Sequence, residues 1–291
     1  MSESANLTFP YEANLIKHFR PIDKLVGSSI KNIDLIYLIN LDQRSEKLER
    51  TLNQLSPYGI VPNRFSAIYG WTLADEVYED IGLKVAPGMN WKGSVYLRHN
   101  YSLLVLKPIY GSAIFYYRMS HGAVGCTLSH LSILQNAYEA NVESIWILED
   151  DVTVNANPHC LSDYIEKLDD LVGKDGWDVL YTDNYDYFAP FTPGTNFRPD
   201  MPSMNFEPIF LRKDLGSDFV QIGGRCHTHS LILRRSGIRK ILEFSKRNGL
   251  YLPYDIEIAF VPEIRFFNLK HNIVIGETWE NSDTTIKHFK E

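Results

Sequence analysis

Three consecutive carboxylates, Glu149, Asp150 and Asp151, follow directly on the apolar run Ile145-Trp146-Ile147-Leu148. A strand that apolar is buried on both faces, so its end delivers the acids to the rim of a sheet. Open α/β sheets bind ligands beyond the carboxyl ends of their strands. Hard oxygens gathered at such a rim suit Mg²⁺ or Mn²⁺ holding a diphosphate. The alternative is a polar turn that closes a core strand. Adjacent acids repel one another, which disfavours the plain turn unless a cation is close. Cys226, His227 and His229 also invite a zinc reading. That segment is too short to supply a good tetrahedral site, and no second pair of ligands accompanies it.

The elements that must position these acids are visible in the hydrophobic periodicity. Residues 33–39 read as a buried first strand. From Ser45 onward Leu48, Leu52 and Leu55 recur at helical spacing, and Pro57 and Gly59 end that helix. Residues 64–68 read as a second strand. The pattern predicts a helix over 125–140, immediately before the carboxylate strand, and another over 160–172. Strands are expected at 177–181 and 229–233, a helix at 236–247, a short helical segment opening on Pro253-Tyr254-Asp255, and late strands at 265–269 and 272–275. Residues 1–30 read as an N-terminal extension. Residues 71–123 carry no clear period and many aromatics, the mark of an insertion. Residues 184–227 read as loops over a ligand crevice. Strands alternating with helices indicate an α/β domain with a mostly parallel sheet flanked by helices.

Composition narrows the function. A formal charge of −7 lacks the basic footprint of a nucleic-acid binder. No apolar run reaches membrane-spanning length, and residues 1–10 lack the charged and apolar regions of a secretory signal. Cys126, Cys160 and Cys226 are odd in number and widely spaced, which fits a reducing compartment. The expectation is a cytoplasmic protein without a transmembrane segment, with peripheral membrane contact left open.

Four blocks then resemble one family. The first is Ile39-Asn40-Leu41-Asp42-Gln43-Arg44-Ser45-Glu46-Lys47, and the second Arg64-Phe65-Ser66-Ala67-Ile68-Tyr69-Gly70. The third is Gly122-Ala123-Val124-Gly125-Cys126-Thr127-Leu128-Ser129-His130 with Ile147-Leu148-Glu149-Asp150-Asp151. The fourth is Thr228-His229-Ser230-Leu231-Ile232-Leu233 with Gly237 and Pro253-Tyr254-Asp255. In this order they resemble glycosyltransferase family 25, which includes bacterial lipooligosaccharide and animal procollagen galactosyltransferases. Two positions depart from the family pattern: Ala123 stands where Glu is usual, and Lys47 where Arg is usual. Residues 71–123 fit it poorly, which bears on acceptor choice.

The resemblance implies a GT-A-like, Rossmann-type single domain over residues 31–291. Its nucleotide-sugar half would be 31–185, and its acceptor half 186–291 with the 71–123 insertion. It implies metal-dependent transfer of a hexose from a UDP-sugar, with inversion, as in lipopolysaccharide biosynthesis. Galactose is the first candidate and glucose the next. The acceptor would be a saccharide, glycolipid or hydroxylysine-type hydroxyl. On that reading Asp151 binds Mn²⁺ or Mg²⁺ directly, Asp150 binds the metal or the ribose, and Glu149 supports the shell. Asp255 is the candidate general base or else a helix N-cap, with Glu257 behind it. His229 completes the metal shell, touches the phosphates, or is a buried strand histidine. Ser129 and His130, in the first turns of their helix, meet the donor or simply hold the helix to the sheet. Asn40 and Arg44 face the nucleotide, Arg44 pairing with a phosphate or lying solvated. Ala67, Tyr69 and Gly70 line a uracil pocket, with Tyr69 stacking on the base or packing. Asp183 is a further rim carboxylate for a sugar hydroxyl. A catalytically degenerate nucleotide-sugar or glycan binder of the same fold is the rival.

Overall fold

The computed structural model describes residues 9–22, 24–83, 98–99, 102–103, 120–187, 207–277 and 282–284. In chain order its first helices and strands are α1 (Glu12–Lys17), β1 (Leu35–Asn40), α2 (Ser45–Leu55), β2 (Asn63–Ser66), α3 (Asp75–Asp80), β3 (Arg98–His99) and β4 (Ser102–Leu103). Then come α4 (His121–Glu139), β5 (Ser144–Glu149), β6 (Val152–Val154), α5 (Leu161–Val172), β7 (Val179–Tyr181), β8 (Arg212–Leu215) and β9 (Phe219–Ile222). The last are β10 (Ser230–Arg234), α6 (Arg235–Asn248), α7 (Tyr254–Glu257), β11 (Phe266–Leu269) and β12 (Val274–Gly276).

An eight-stranded sheet in the order β2-β1-β5-β10-β7-β11-β9-β8 forms the centre. Strands β2, β1, β5, β7, β11 and β8 run one way, and β10 and β9 run the other. Alternation along each strand divides the core into two layers. Leu35, Tyr37 and Ile39 of β1 join Ile145 and Ile147 of β5 on the face covered by α4 and α6. Ile36 and Leu38 join Trp146 and Leu148 on the face covered by α5. The α/β architecture expected from the periodicity, GT-A-like as the resemblance implies, is the one observed.

Several details differ from the sequence reading. Helix α4 begins at His121, with the Ser120 hydroxyl accepting from the Ala123 N–H at 3.0 Å. Ser129 and His130 therefore lie mid-helix, away from the N-terminal amides. Gly122 and Gly125 obscured that start, because glycine is a poor helix former. The structure explains Gly125: a Cβ there would come within 2.6 Å of the Gly70 N and would overlap the Ile68 carbonyl. Strand β12 stays out of the large sheet and pairs antiparallel with β6. The β8–β9 hairpin lies within the stretch read as loops; Arg212, Lys213 and Asp214 are exposed on an edge strand and carry no alternation. Within the N-terminal extension α1 docks on α6, with the Tyr11 N–H donating to the Lys246 carbonyl at 2.9 Å. Most of the 71–123 insertion lies outside the described residues. Among the described residues no helix is long and apolar enough to cross a membrane.

Candidate active site

Strands β1 and β5 are parallel neighbours, with Ile39 opposite Glu149. Their ends therefore abut, and the Asn40 amide donates to Asp150 Oδ2 at 2.7 Å. The Thr51 hydroxyl of α2 donates to the Asp150 carbonyl at 3.1 Å and fixes the turn after β5. Glu149 points the other way. Its Oε1 accepts from the Thr228 hydroxyl at 3.0 Å and lies 3.1 Å from His130 Nε2. His130 is fully buried and stacked on Tyr254, with ring centroids 4.2 Å apart. Asp151 Oδ1 is buried and has no hydrogen-bond partner among the described residues.

That oxygen belongs to a residue set between two cavities. The smaller, about 70 Å³, is lined by Asn40, Ala67, Tyr69, Gly70 and Trp71. The larger, about 240 Å³, is lined by His227, His229, Tyr254 and Asp255. Glu149, Asp151 and Cys126 line both.

The three acids differ in charge state. Burial, with the charges of Glu149 and Asp150, pushes Asp151 up to about 8. Burial also raises Asp150, to about 6, against the hydrogen bond from Asn40. Burial works against ionised Glu149 too, but the hydrogen bond and charge of His130 outweigh it and hold that carboxyl below its usual range. An unpaired hard oxygen that is reluctant to ionise beside two other acids fits a divalent cation. Oxygen donors of this kind are the ones Mn²⁺ or Mg²⁺ takes, but among the described residues the ligand atoms found within 4.8 Å of one another are those of Cys126, His130 and Glu149.

Asp255 faces the larger cavity. Its Oδ2 accepts from the His227 N–H at 2.7 Å and its Oδ1 from the Ile256 N–H at 2.9 Å, and burial raises its pKa. Pro253 holds the cap position of α7, so Asp255 is not the N-cap. Glu257 accepts the Tyr251 and Leu252 N–H groups at 2.9 Å each and is tied into the backbone. His229 stacks on His227 at 5.0 Å, and its ring covers Gly276 so closely that a Cβ there would overlap it. Burial lowers His229 to about 4, so it stands as a neutral imidazole.

The remaining predicted residues divide between lining and support. Ala67, Tyr69 and Gly70 line the smaller cavity. Gly70 also makes the backbone approach to α4, because a Cβ on it would overlap the His121 carbonyl. Ser129 accepts from the Ile68 N–H at 2.8 Å and donates to the Gly125 carbonyl at 2.7 Å, which holds the helix to the loop after β2. Asn40 is 1% exposed and fully engaged by Asp150, the Arg44 carbonyl and Arg64. Arg44 is paired rather than solvated, its Nε lying 3.0 Å from both oxygens of Asp283. Asp183 forms a buried ion pair with Arg225, which is stacked on Tyr181 at 4.3 Å, and so is unavailable to a sugar hydroxyl. The reading from sequence passed over Thr228, Tyr254, Trp71 and Asp283 as site residues. Thr228 and Tyr254 stood inside quoted motifs, whereas nothing local distinguishes Asp283.

Comparison with known proteins bears on the family of the chain. The family described as Glycosyltransferase family 25 (LPS biosynthesis protein) matches residues 33–258. A "Glycosyltransferase 25 family member" of Aedes aegypti is 29% identical over 166 residues, 57% of this chain and 23% of that protein. "Procollagen galactosyltransferase 1-B" of Xenopus laevis is 26% identical over 151 residues, covering 52% of this chain and 21% of its own length. "Inactive glycosyltransferase 25 family member 3" of Mus musculus is 27% identical over 164 residues, covering 56% and 23%. The match thus spans less than a quarter of each of these relatives. With the four motifs gathered around one acidic rim and the family match running through all of them, the chain belongs to glycosyltransferase family 25.

Proposed function

We propose that this chain is a metal-dependent, inverting hexosyltransferase that takes a UDP-sugar as donor. Galactose is the first candidate sugar and glucose the next. The acceptor is a hydroxyl of a saccharide, a glycolipid or a hydroxylysine-type side chain, met in the cytoplasm or at a membrane surface. The observation that carries this reading is the unpaired, buried Asp151 oxygen between two cavities.

Asp151 would hold Mn²⁺ or Mg²⁺, with Asp150 and Glu149 beside it and His229 at the margin. Bound there, the ion supplies positive charge against the departing diphosphate. The rest falls to the chain. His130 and Thr228 fix Glu149, and Asn40 fixes Asp150, so the acids keep one geometry. Tyr69 offers a face to the uracil beside Ala67 and Gly70. In the larger cavity the acceptor oxygen attacks the anomeric carbon as the bond to the diphosphate breaks, and Asp255 takes the hydroxyl proton. A carboxylate raised by burial is a stronger base than an exposed one, which suits that role.

A panel of UDP-sugars with Mn²⁺, scored by UDP release, tests the proposal. Release from one or two UDP-hexoses is expected. Binding without turnover is the second reading, favoured by relatives named inactive. Tight Mn²⁺-dependent UDP binding with no release from any donor would establish it.

A further inference from the structure

Residues 282–284 lie at the seam between the two cavities. Ser282 and Thr284 line both, and Asp283 lines the smaller. The Ser120 hydroxyl donates to the Thr284 carbonyl, and the Trp71 indole N–H to the Asp283 carbonyl at 3.4 Å. A Cβ on Gly122 would come within 2.6 Å of the Thr284 Cα, so this strap rests on the first turn of α4. Its side-chain anchor is Asp283. Arg44 meets both carboxylate oxygens, and Lys47 Nζ donates to one at 2.8 Å. Arg44, Lys47 and Asp283 are only 19%, 10% and 11% exposed. Burial opposes ionisation of Asp283, but the hydrogen bonds from Arg44 and Lys47 keep its carboxyl below the usual range.

A fork from Arg and a point charge from Lys converging on one oxyanion is also how a phosphate is held. Space argues the same way. The smaller cavity measures about 70 Å³. Pockets that enclose a small ligand hold roughly 300–1,000 Å³. With the strap as part of its lining, the nucleotide side is far smaller than that range.

We propose that Arg44 and Lys47 form a diphosphate site that Asp283 fills from within the chain, so that the strap and the donor's diphosphate exclude one another. The identity of the anion rests on the UDP-sugar reading above. The latched form withholds the site, and the donor binds only as strongly as the unlatched fraction allows. Asp283 also adds a fourth acid close to Asp150, whose charge it disfavours. Its departure turns the Arg44 fork and the Lys47 ammonium toward an incoming anion, with Arg44 keeping its contact to Glu46.

Calorimetric titration of the full chain with inorganic pyrophosphate and with UDP, free of divalent ions, tests the latch. Asp283→Asn should bind both about tenfold more tightly than the natural protein. Adding Lys47→Met should remove the gain. Equal or weaker binding by Asp283→Asn overturns the inference. Ser282→Cys provides an independent reading should the first variant fold poorly. Saturating pyrophosphate should speed thiol labelling at that position relative to the same variant without pyrophosphate. Slower labelling would mean that the strap clamps onto the ligand, and would overturn the latch. Neither readout needs sugar transfer. A gain in pyrophosphate affinity without turnover of any UDP-sugar sinks the transferase reading and leaves the latch, and turnover without the gain does the reverse.

Discussion

Glu149 and Asp255 show how single residues divide the work at this rim. Glu149 is locked by His130 and Thr228, whereas among the described residues Asp255 takes only backbone N–H groups, and it faces the larger cavity. Asp255→Asn keeps the shape and one acceptor oxygen but cannot take a proton. It should lower kcat by about 10²–10⁴-fold while leaving UDP affinity within a factor of about two. Steady-state kinetics beside UDP calorimetry check this, and lost UDP affinity would remove Asp255 from the base role. His130→Ala leaves the Glu149 carboxylate without its buried partner. Mn²⁺-dependent UDP binding should weaken by about 10–100-fold, the usual effect of losing a group that orients a metal ligand. Unchanged Mn²⁺ dependence would mean that His130 serves packing alone. At this scale the sequence carried the residue types and their order, and Glu149-Asp150-Asp151 was legible because it interrupts an apolar run. The division of roles was not. Whether an acid is paired depends on Thr228, Asn40 and His130, which come from other strands and from α4.

Among the elements, α4 fixes the site because it bears Cys126 and His130 and packs backbone to backbone on the turn after β2. The contact depends on Gly125 and Gly70 facing each other. Gly125→Ala puts a methyl group against the Ile68 carbonyl and the Gly70 backbone, which cannot yield without moving the turn. Overpacking of this kind costs about 1–3 kcal/mol. Gly27→Ala, at a position with nothing within 4 Å of the added Cβ, is the control. Denaturant unfolding of the two variants should separate them, and equal stabilities would contradict the close packing. The helices and buried strands were readable because their apolar periods match burial, as in Leu161, Ile165 and Leu168 of α5. The β8–β9 hairpin was not, since an exposed edge strand needs no apolar face. The start of α4 was hidden for the opposite reason: its glycines serve close packing, and local helix preference argues against them.

For the whole molecule, the charge of the rim couples stability to pH. Asp151 in the folded chain ionises near 8, well above an unfolded Asp. The folded state therefore holds a proton that the unfolded state has released, and stability falls as pH rises toward about 8. His229 runs the other way, because its folded value of about 4 lies below that of an unfolded His. Its stabilising share is gained as pH rises from about 4 to about 6.5 and is complete above that. Between about pH 6.5 and 8 the Asp151 loss continues with no further gain from His229. Without divalent ions Asp151→Asn should melt above the natural chain at pH 8, by a margin that shrinks toward pH 5. Saturating Mn²⁺ should reverse the order at pH 8, because only the natural chain binds the ion. Thermal melts at the two pH values check both statements, and a pH-independent gap would contradict the charge account.

The central claim is that Asp151 grips a divalent cation which in turn holds the donor's diphosphate. Electron paramagnetic resonance of free Mn²⁺, titrated with protein and UDP together, measures this directly. One ion should be taken up per chain with UDP present, and uptake should disappear in folded Asp151→Asn. Equal uptake by that variant, or UDP binding that ignores Mn²⁺ altogether, would contradict the account.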